Sequence, residues 1–199
     1  MIVKNKYATY VGHKFLGKFH TVVQKWTAPD APSANGVLAS TLLTTAVQTI
    51  TSGITSPDFP RTLAIDSDGA ATGNVVITGK NIRGEVVTDT IALNGTNAVE
   101  GVVAFKSVTS IQLPVKAAAE SVWVGWGDKL GLQEIPYSTT VIEECTGNAN
   151  DTGGAVLTRD SDEVEKCLYD PTTQCNASAN KLVVYVSEDT DAKIGSYTE

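Results

Sequence analysis

Between residues 60 and 137 the chain runs in short Val-, Ile- and Thr-rich segments cut by Gly, Asn and Asp. The breaks fall about every 8–12 residues, the spacing of an all-β sandwich or barrel. Strands are predicted over residues 62–66, 74–78, 85–93, 99–105, 108–113 and 121–126. The 85–93 segment alternates cleanly: Val87, Asp89, Ile91 and Leu93 point one way and Val86, Thr88, Thr90 and Ala92 the other. Residues 80–84 join two of these runs as a hairpin, and Asn94-Gly95 is a strong turn pair. Trp123 and Trp126 fall on opposite faces of their strand by the two-residue period. Gly125, Gly127 and Gly131 bracket Asp128-Lys129-Leu130, which predicts a tight loop with demanding backbone angles.

Either side of this stretch the pattern is less regular. Residues 37–50 fit both helical and strand spacing, and their threonines tip the prediction toward extended structure. Beyond Tyr137, strands are predicted over 139–143, 155–159 and 182–187, with a flexible loop over 146–154 and an acidic run over 160–165. Residues 1–35 read as an extended basic and aromatic N-terminal arm ending in a Pro- and Gly-punctuated segment. The expected organisation is therefore an arm over 1–35, an antiparallel β-sandwich or barrel-like domain over 36–187 and a polar tail over 188–199. Within that domain, 137–187 supplies C-terminal strands and a variable loop.

Charge sharpens the reading of the arm. The 199-residue chain has a formal charge of −7, yet residues 1–26 hold five lysines and no acid, which leaves −12 for the rest. The arm is thus expected to lean on an acidic protein surface, with Tyr7, Tyr10, Lys14, Phe15, Lys18, Phe19 and Trp26 as partner contacts. The plainer alternatives are lysines on a solvated face and aromatics that complete the core. The acidic total argues against general nucleic-acid binding, which needs a basic face. No stretch approaches the length of a membrane-spanning helix, and the first residues lack a secretory signal, so synthesis in a cytoplasm is expected. Asn94, Asn150 and Asn176 open glycosylation-type triplets and are read as turn residues instead. Cys145, Cys167 and Cys175 are odd in number and lack metal-site spacing; a Cys167–Cys175 disulfide and a set of small buried thiols both remain open.

Catalytic signatures are thin. His13 and His20 both lie in the arm, with no nucleophile elbow elsewhere to pair with them. Asp66/Asp68, Glu143/Glu144 and 160–163 bring carboxylates together, but the later positions of a calcium loop after Asp66 hold Thr72 and Val75. The Gly-rich 79–84 stretch opens a strand and lacks the Lys-Ser/Thr ending of a phosphate loop. The expectation is a protein that is not an enzyme and uses no cofactor or metal.

The succession TGNVVITGKNIRGEVVTDTIALNG, AFKSVTSIQLP and GWGDKLGLQEIP resembles a family of tailed-bacteriophage virion proteins. The corresponding residues are 72–79, 84–95, 104–114 and 125–136, with weaker echoes at 155–165 and 181–186. A short insertion falls within 129–136, and the arm and the 145–154 loop are poorly covered. The resemblance implies a head decoration or cement protein on the capsid exterior. Its partners would be the major capsid protein and itself, as a homo-oligomer such as a trimer. Tail, neck or head-fibre placement is the alternative within the virion. An adhesin that stacks sugars on Trp123 and Trp126 is the alternative outside it.

Overall fold

In a computed structural model the alternating segments become strands of antiparallel sheets. It describes residues 5–11, 14–115, 119–151 and 153–188, with only the backbone of 5–11 and 14–18. Strand accounts for 54% of the structure and helix for 2%, in antiparallel sheets of which one curls into a half-barrel. The chain is thus all-β, as expected, and the residue types explain why: β-branched side chains on a two-residue period suit a pleated, half-buried surface.

A four-stranded sheet contains β4 (Gln48–Ile50), β6 (Asn74–Lys80), β7 (Val86–Ala92) and β9 (Ser107–Leu113), in the order β4-β9-β6-β7. The β6–β7 hairpin turns on Asn81, whose fully buried side chain does the work of a short loop. Its Oδ1 accepts the backbone N–H of Arg83 (2.9 Å) and of Glu85 (3.0 Å), and its Nδ2 donates to the Glu85 carboxylate (2.8 Å). Gly84 completes the turn at φ +85°, where a Cβ is disfavoured.

Across from it lies a six-stranded sheet. Its members are β3 (Ser33–Leu42), β5 (Arg61–Ser67), β8 (Val99–Phe105), β10 (Ser121–Gly131), β13 (Val156–Thr158) and β14 (Leu168–Asp170). Leu63, Ile65, Val122 and Val124 from this sheet meet Val75, Ile77, Ile91 and Ile111 from the four-stranded one, all nearly or fully buried. This is the sandwich core. Asp89 ties the two sheets together: its carboxylate accepts the N–H groups of Val102 (3.0 Å) and Val103 (3.3 Å), which the β5–β8 register shift leaves without a ladder partner.

The predicted loop at 128–130 is instead the far end of β10, with a register shift between Trp126 and Leu130. Glycine is needed there for proximity rather than for unusual angles. A Cβ on Gly125 would lie 1.6 Å from the Ser33 carbonyl oxygen.

A third sheet is built from the two ends of the chain. It contains β1 (Asn5–Val11), β2 (Lys14–Trp26), β11 (Glu143–Thr146), β12 (Ala149–Asn150) and β15 (Lys181–Glu188), in the order β1-β2-β15-β11-β12. Strand β2 pairs with β15 over eight positions, from Lys181 opposite Trp26 to Glu188 opposite Phe19. From Phe19 onward, then, the segment expected as an arm is a strand of the body. Trp26 corrects the contact set directly. It is 2% exposed and stacks on Tyr169 at 5.3 Å between ring centroids, so no partner can reach it.

Three further differences follow from long-range pairing. Residues 139–142 are not strand, and β11 starts at Glu143, where it meets β15. The expected 146–154 loop is in part a hairpin, with Cys145 opposite Asn150. Strand β14 was not predicted at all; it exists because Leu168 and Tyr169 find partners on β10 and β13.

Candidate functional site

The third sheet covers a second core made of Val22, Trp26, Leu130, Leu157, Tyr169 and Tyr185 with Cys167 and Cys175. All three cysteines are free thiols, and Cys167 and Cys175 are buried. Burial pushes the Cys167 thiol above its ordinary value, and burial followed by the neighbouring Asp128 carboxylate pushes Cys175 up to about 12. Neither is a reactive thiolate.

This core also encloses ionisable groups. Glu144, 4% exposed, accepts the Tyr169 hydroxyl (2.5 Å) and both the backbone N–H (2.8 Å) and the hydroxyl (2.6 Å) of Thr172. Its partner in the sequence pair, Glu143, faces solvent. The fully buried Lys181 ammonium donates to Thr146 Oγ1 (2.8 Å) and to the Thr173 carbonyl. Gln24 uses both ends of its amide, donating to the Gly131 carbonyl and accepting from the Gln133 N–H, each at 3.0 Å. These bonds hold loops to sheets, and burial plus Glu144 raises the Tyr169 hydroxyl pKa.

Outside this core, on the outer face of the third sheet, lies an open groove of about 480 Å³. Thr21 and Val186, paired across β2 and β15, belong to its lining. So do Phe19 and Tyr137, which meet edge-to-face at 4.4 Å, together with Ser138, Thr140 and Ile142. The segment after β10 forms that wall because it is strapped to β15: Tyr137 N–H donates to the Val186 carbonyl (2.7 Å), and Ile142 N–H to the Val184 carbonyl (2.8 Å). His20 also lines the groove and is 5% exposed; its ring Nε2–H donates to the Glu134 carboxylate at 2.5 Å. Tyr137 and Ile142 keep 53% and 56% of their surface open to solvent.

The expected contact residues separate into three groups. Phe19 is in the groove and Trp26 is in the core. Tyr7, Tyr10, Lys14, Phe15 and Lys18 lie on the β1–β2 hairpin, with backbone registers such as Tyr7 opposite Phe19 and Tyr10 opposite Phe15, and their side chains are outside the described residues. His13 and residues 189–199, most of the expected tail, are also outside them. The groove wall at Tyr137 and Ile142 was missed. Its residues, Tyr137 and Ile142, flank a polar Ser-Thr-Thr stretch and carry no period that marks them as a surface.

Other candidates resolve into local structure. Trp126 shares the buried face of Val122 and Val124, packs on the sandwich core and donates its Nε1–H to the Ala31 carbonyl at 3.0 Å. Trp123 lies on the other face, so the two do not form one stacking platform. Asp68 Oδ1 accepts the Ser121 N–H (2.7 Å), and Asp160 Oδ1 accepts the N–H groups of Asp162 and Glu163 (2.9 Å each), which lowers the Asp160 pKa. Asn176 Oδ1 caps a turn through the N–H groups of Ser178 and Ala179, 3.1 Å each. Among the described residues, no cluster of three or more His, Cys, Asp or Glu side chains is placed to hold a metal ion, and no helix is long and apolar enough to cross a membrane.

No family model matches the chain, and neither a curated protein nor a solved structure matches it.

Proposed function

We propose that this is a non-enzymatic structural protein of a tailed-phage virion that binds the capsid exterior as a decoration or cement protein and stabilises the shell. The observation that carries the reading is the succession of motifs at 72–95, 104–114 and 125–136, which resembles that family. These motifs coincide with the β6–β7 hairpin, the end of β8 with β9, and β10, the elements of the sandwich. They describe a rigid scaffold. The third sheet, with its groove and basic hairpin, lies largely outside them, which is where a lineage-specific contact to the major capsid protein would sit.

The mechanism is binding by repetition. Many copies on one lattice make weak contacts act together. A ligand that binds only the assembled, mature shell stabilises it by mass action. Synthesis is in the host cytoplasm and the working location is the capsid surface. The contact set on this reading is Tyr7, Tyr10, Lys14, Phe15, Lys18 and Phe19, without Trp26.

The test is antibody labelling of native particles viewed by electron microscopy. Label over the whole head supports the reading. Label confined to the tail, neck or fibres moves the function there, and unlabelled virions overturn it.

A further inference from the structure

Each sheet of the sandwich ends in a strand with one edge outside the ladder, β7 in the four-stranded sheet and β8 in the six-stranded one. These two strands follow one another in the chain and lie against each other. No backbone ladder joins them. Among the described residues, the only hydrogen bonds between β7 and β8 are those of Asp89, whose Oδ2 accepts the N–H groups of both Val102 (3.0 Å) and Val103 (3.3 Å). Gly101 shows how closely this contact is fitted: a Cβ there would lie 2.2 Å from Asp89 Oδ2. Asp89 is 8% exposed and shares the core-facing side of β7 with Ile91. A buried charge carries a desolvation cost that an aliphatic residue at this position would avoid, so its presence calls for a reason.

The edge that Asp89 caps is one that would otherwise pair readily. Residues 101–105 read Gly-Val-Val-Ala-Phe, uncharged, without proline and rich in strand formers. No lysine or proline guards this run from within. The register shift opposite β5 bends the strand, and it also presents two successive N–H groups to Asp89. Two β8 strands set antiparallel and centred on Val102 bring Val99 opposite Phe105 and Glu100 opposite Ala104. No like charges oppose in that register, so β8 is self-complementary about a two-fold axis. Val102, at its centre, is 57% exposed.

We propose that Asp89 is an autoinhibitory latch: it clamps β7 over the edge of β8 and so blocks addition of the β8 strand of a second copy of this chain. Its carboxylate takes the place of the carbonyl groups that a foreign strand would offer to Val102 and Val103. The seam then hides both sheet edges at once, since each edge strand shields the other. The inference stands apart from the capsid reading. It concerns an association that the folded chain prevents, whichever partner it serves.

Sedimentation velocity on the purified full chain tests this, with the wild-type size distribution as the reference. Asp89→Ala is expected to add larger species that grow with protein concentration. Asp89→Asn should keep the wild-type distribution, because its amide oxygen still accepts both N–H groups. Gly101→Ala should behave like Asp89→Ala, since the added Cβ displaces the carboxylate without removing its charge. Val102→Lys, added to Asp89→Ala, sets two lysines face to face at the centre of the pairing and should raise the dissociation constant of the new species by about tenfold or more. Val47→Lys, equally exposed but next to β4 at the opposite edge of its sheet, should not. A folded Asp89→Ala protein that keeps the wild-type distribution at every concentration overturns the proposal. So does association that Val47→Lys suppresses as well as Val102→Lys, which would assign it to general solubility. Thermal melts by circular dichroism establish folding; if Asp89→Ala does not melt cooperatively, Gly101→Ala is read in its place, with the same outcomes deciding.

Discussion

The two cores of this protein solve the burial problem in different ways. The sandwich core is almost purely aliphatic; β6–β7 is a short hairpin within it, while β10 pairs with β3 and β5 across long stretches of chain. The second core joins residues 22–26 to residues 167–185 across the length of the chain, and it packs aromatics and thiols around Glu144, Lys181 and Gln24. An aliphatic core tolerates changes that keep volume and pattern. A core with enclosed charges is less forgiving, because each must keep its hydrogen bonds in low dielectric. The second design pins β2 and β15, from opposite ends of the chain, beside one surface.

The largest expected effect tests whether the N-terminal strand belongs to the body. Trp26→Ala removes the ring stacked on Tyr169 and should cost about 3–5 kcal/mol by urea unfolding, as much as truncating a central sandwich residue such as Ile77. A cost below about 1 kcal/mol would show that β2 contributes little, and that the sandwich alone sets stability.

A smaller effect compares one buried carboxylate from each core. Glu144→Ala strands the Tyr169 hydroxyl and the Thr172 N–H and should cost about 3 kcal/mol. Asp89→Ala frees two backbone N–H groups near the sandwich edge and should cost about 2 kcal/mol. If the order of the two midpoints is reversed, the polar network is not what distinguishes the second core.

The smallest effect is a pH dependence. Burial raises the Asp170 carboxyl pKa, Glu100 and Asp128 add to this, and Lys129 opposes it. A carboxyl whose folded pKa is raised holds its proton more tightly in the folded state. Its penalty grows as pH rises from the ordinary aspartate value to the raised one, and is fully present above that. Asp170→Asn should therefore raise the melting temperature slightly at neutral pH, with the gain fading as pH falls through the acid range. A gain that persists below the ordinary aspartate range would assign the effect to packing.

What could be read in advance divides along the same line as the cores. The alternation of residues 85–93, the Asn94-Gly95 turn and the hairpin at 80–84 were legible because each is set by residues within a few positions of one another. Strand β14 was not, because three residues carry no period of their own and are strand only by pairing with β10 and β13. The groove was hidden for the same reason: Phe19 and Tyr137 are far apart in the chain and meet only when β2 and the segment strapped to β15 come together.

By itself, then, the amino-acid order determined an all-β chain, its β6–β7 hairpin and the contrast between a basic beginning and an acidic remainder. Local sterics and the two-residue period act over a few residues, and net charge needs no coordinates. Tertiary structure alone decided that Trp26 is core, that Glu144 and Glu143 part ways, and that a groove opens beside the hairpin. Those outcomes depend on which distant strands pair, and β2 with β15 is a contact that only the folded whole can stabilise.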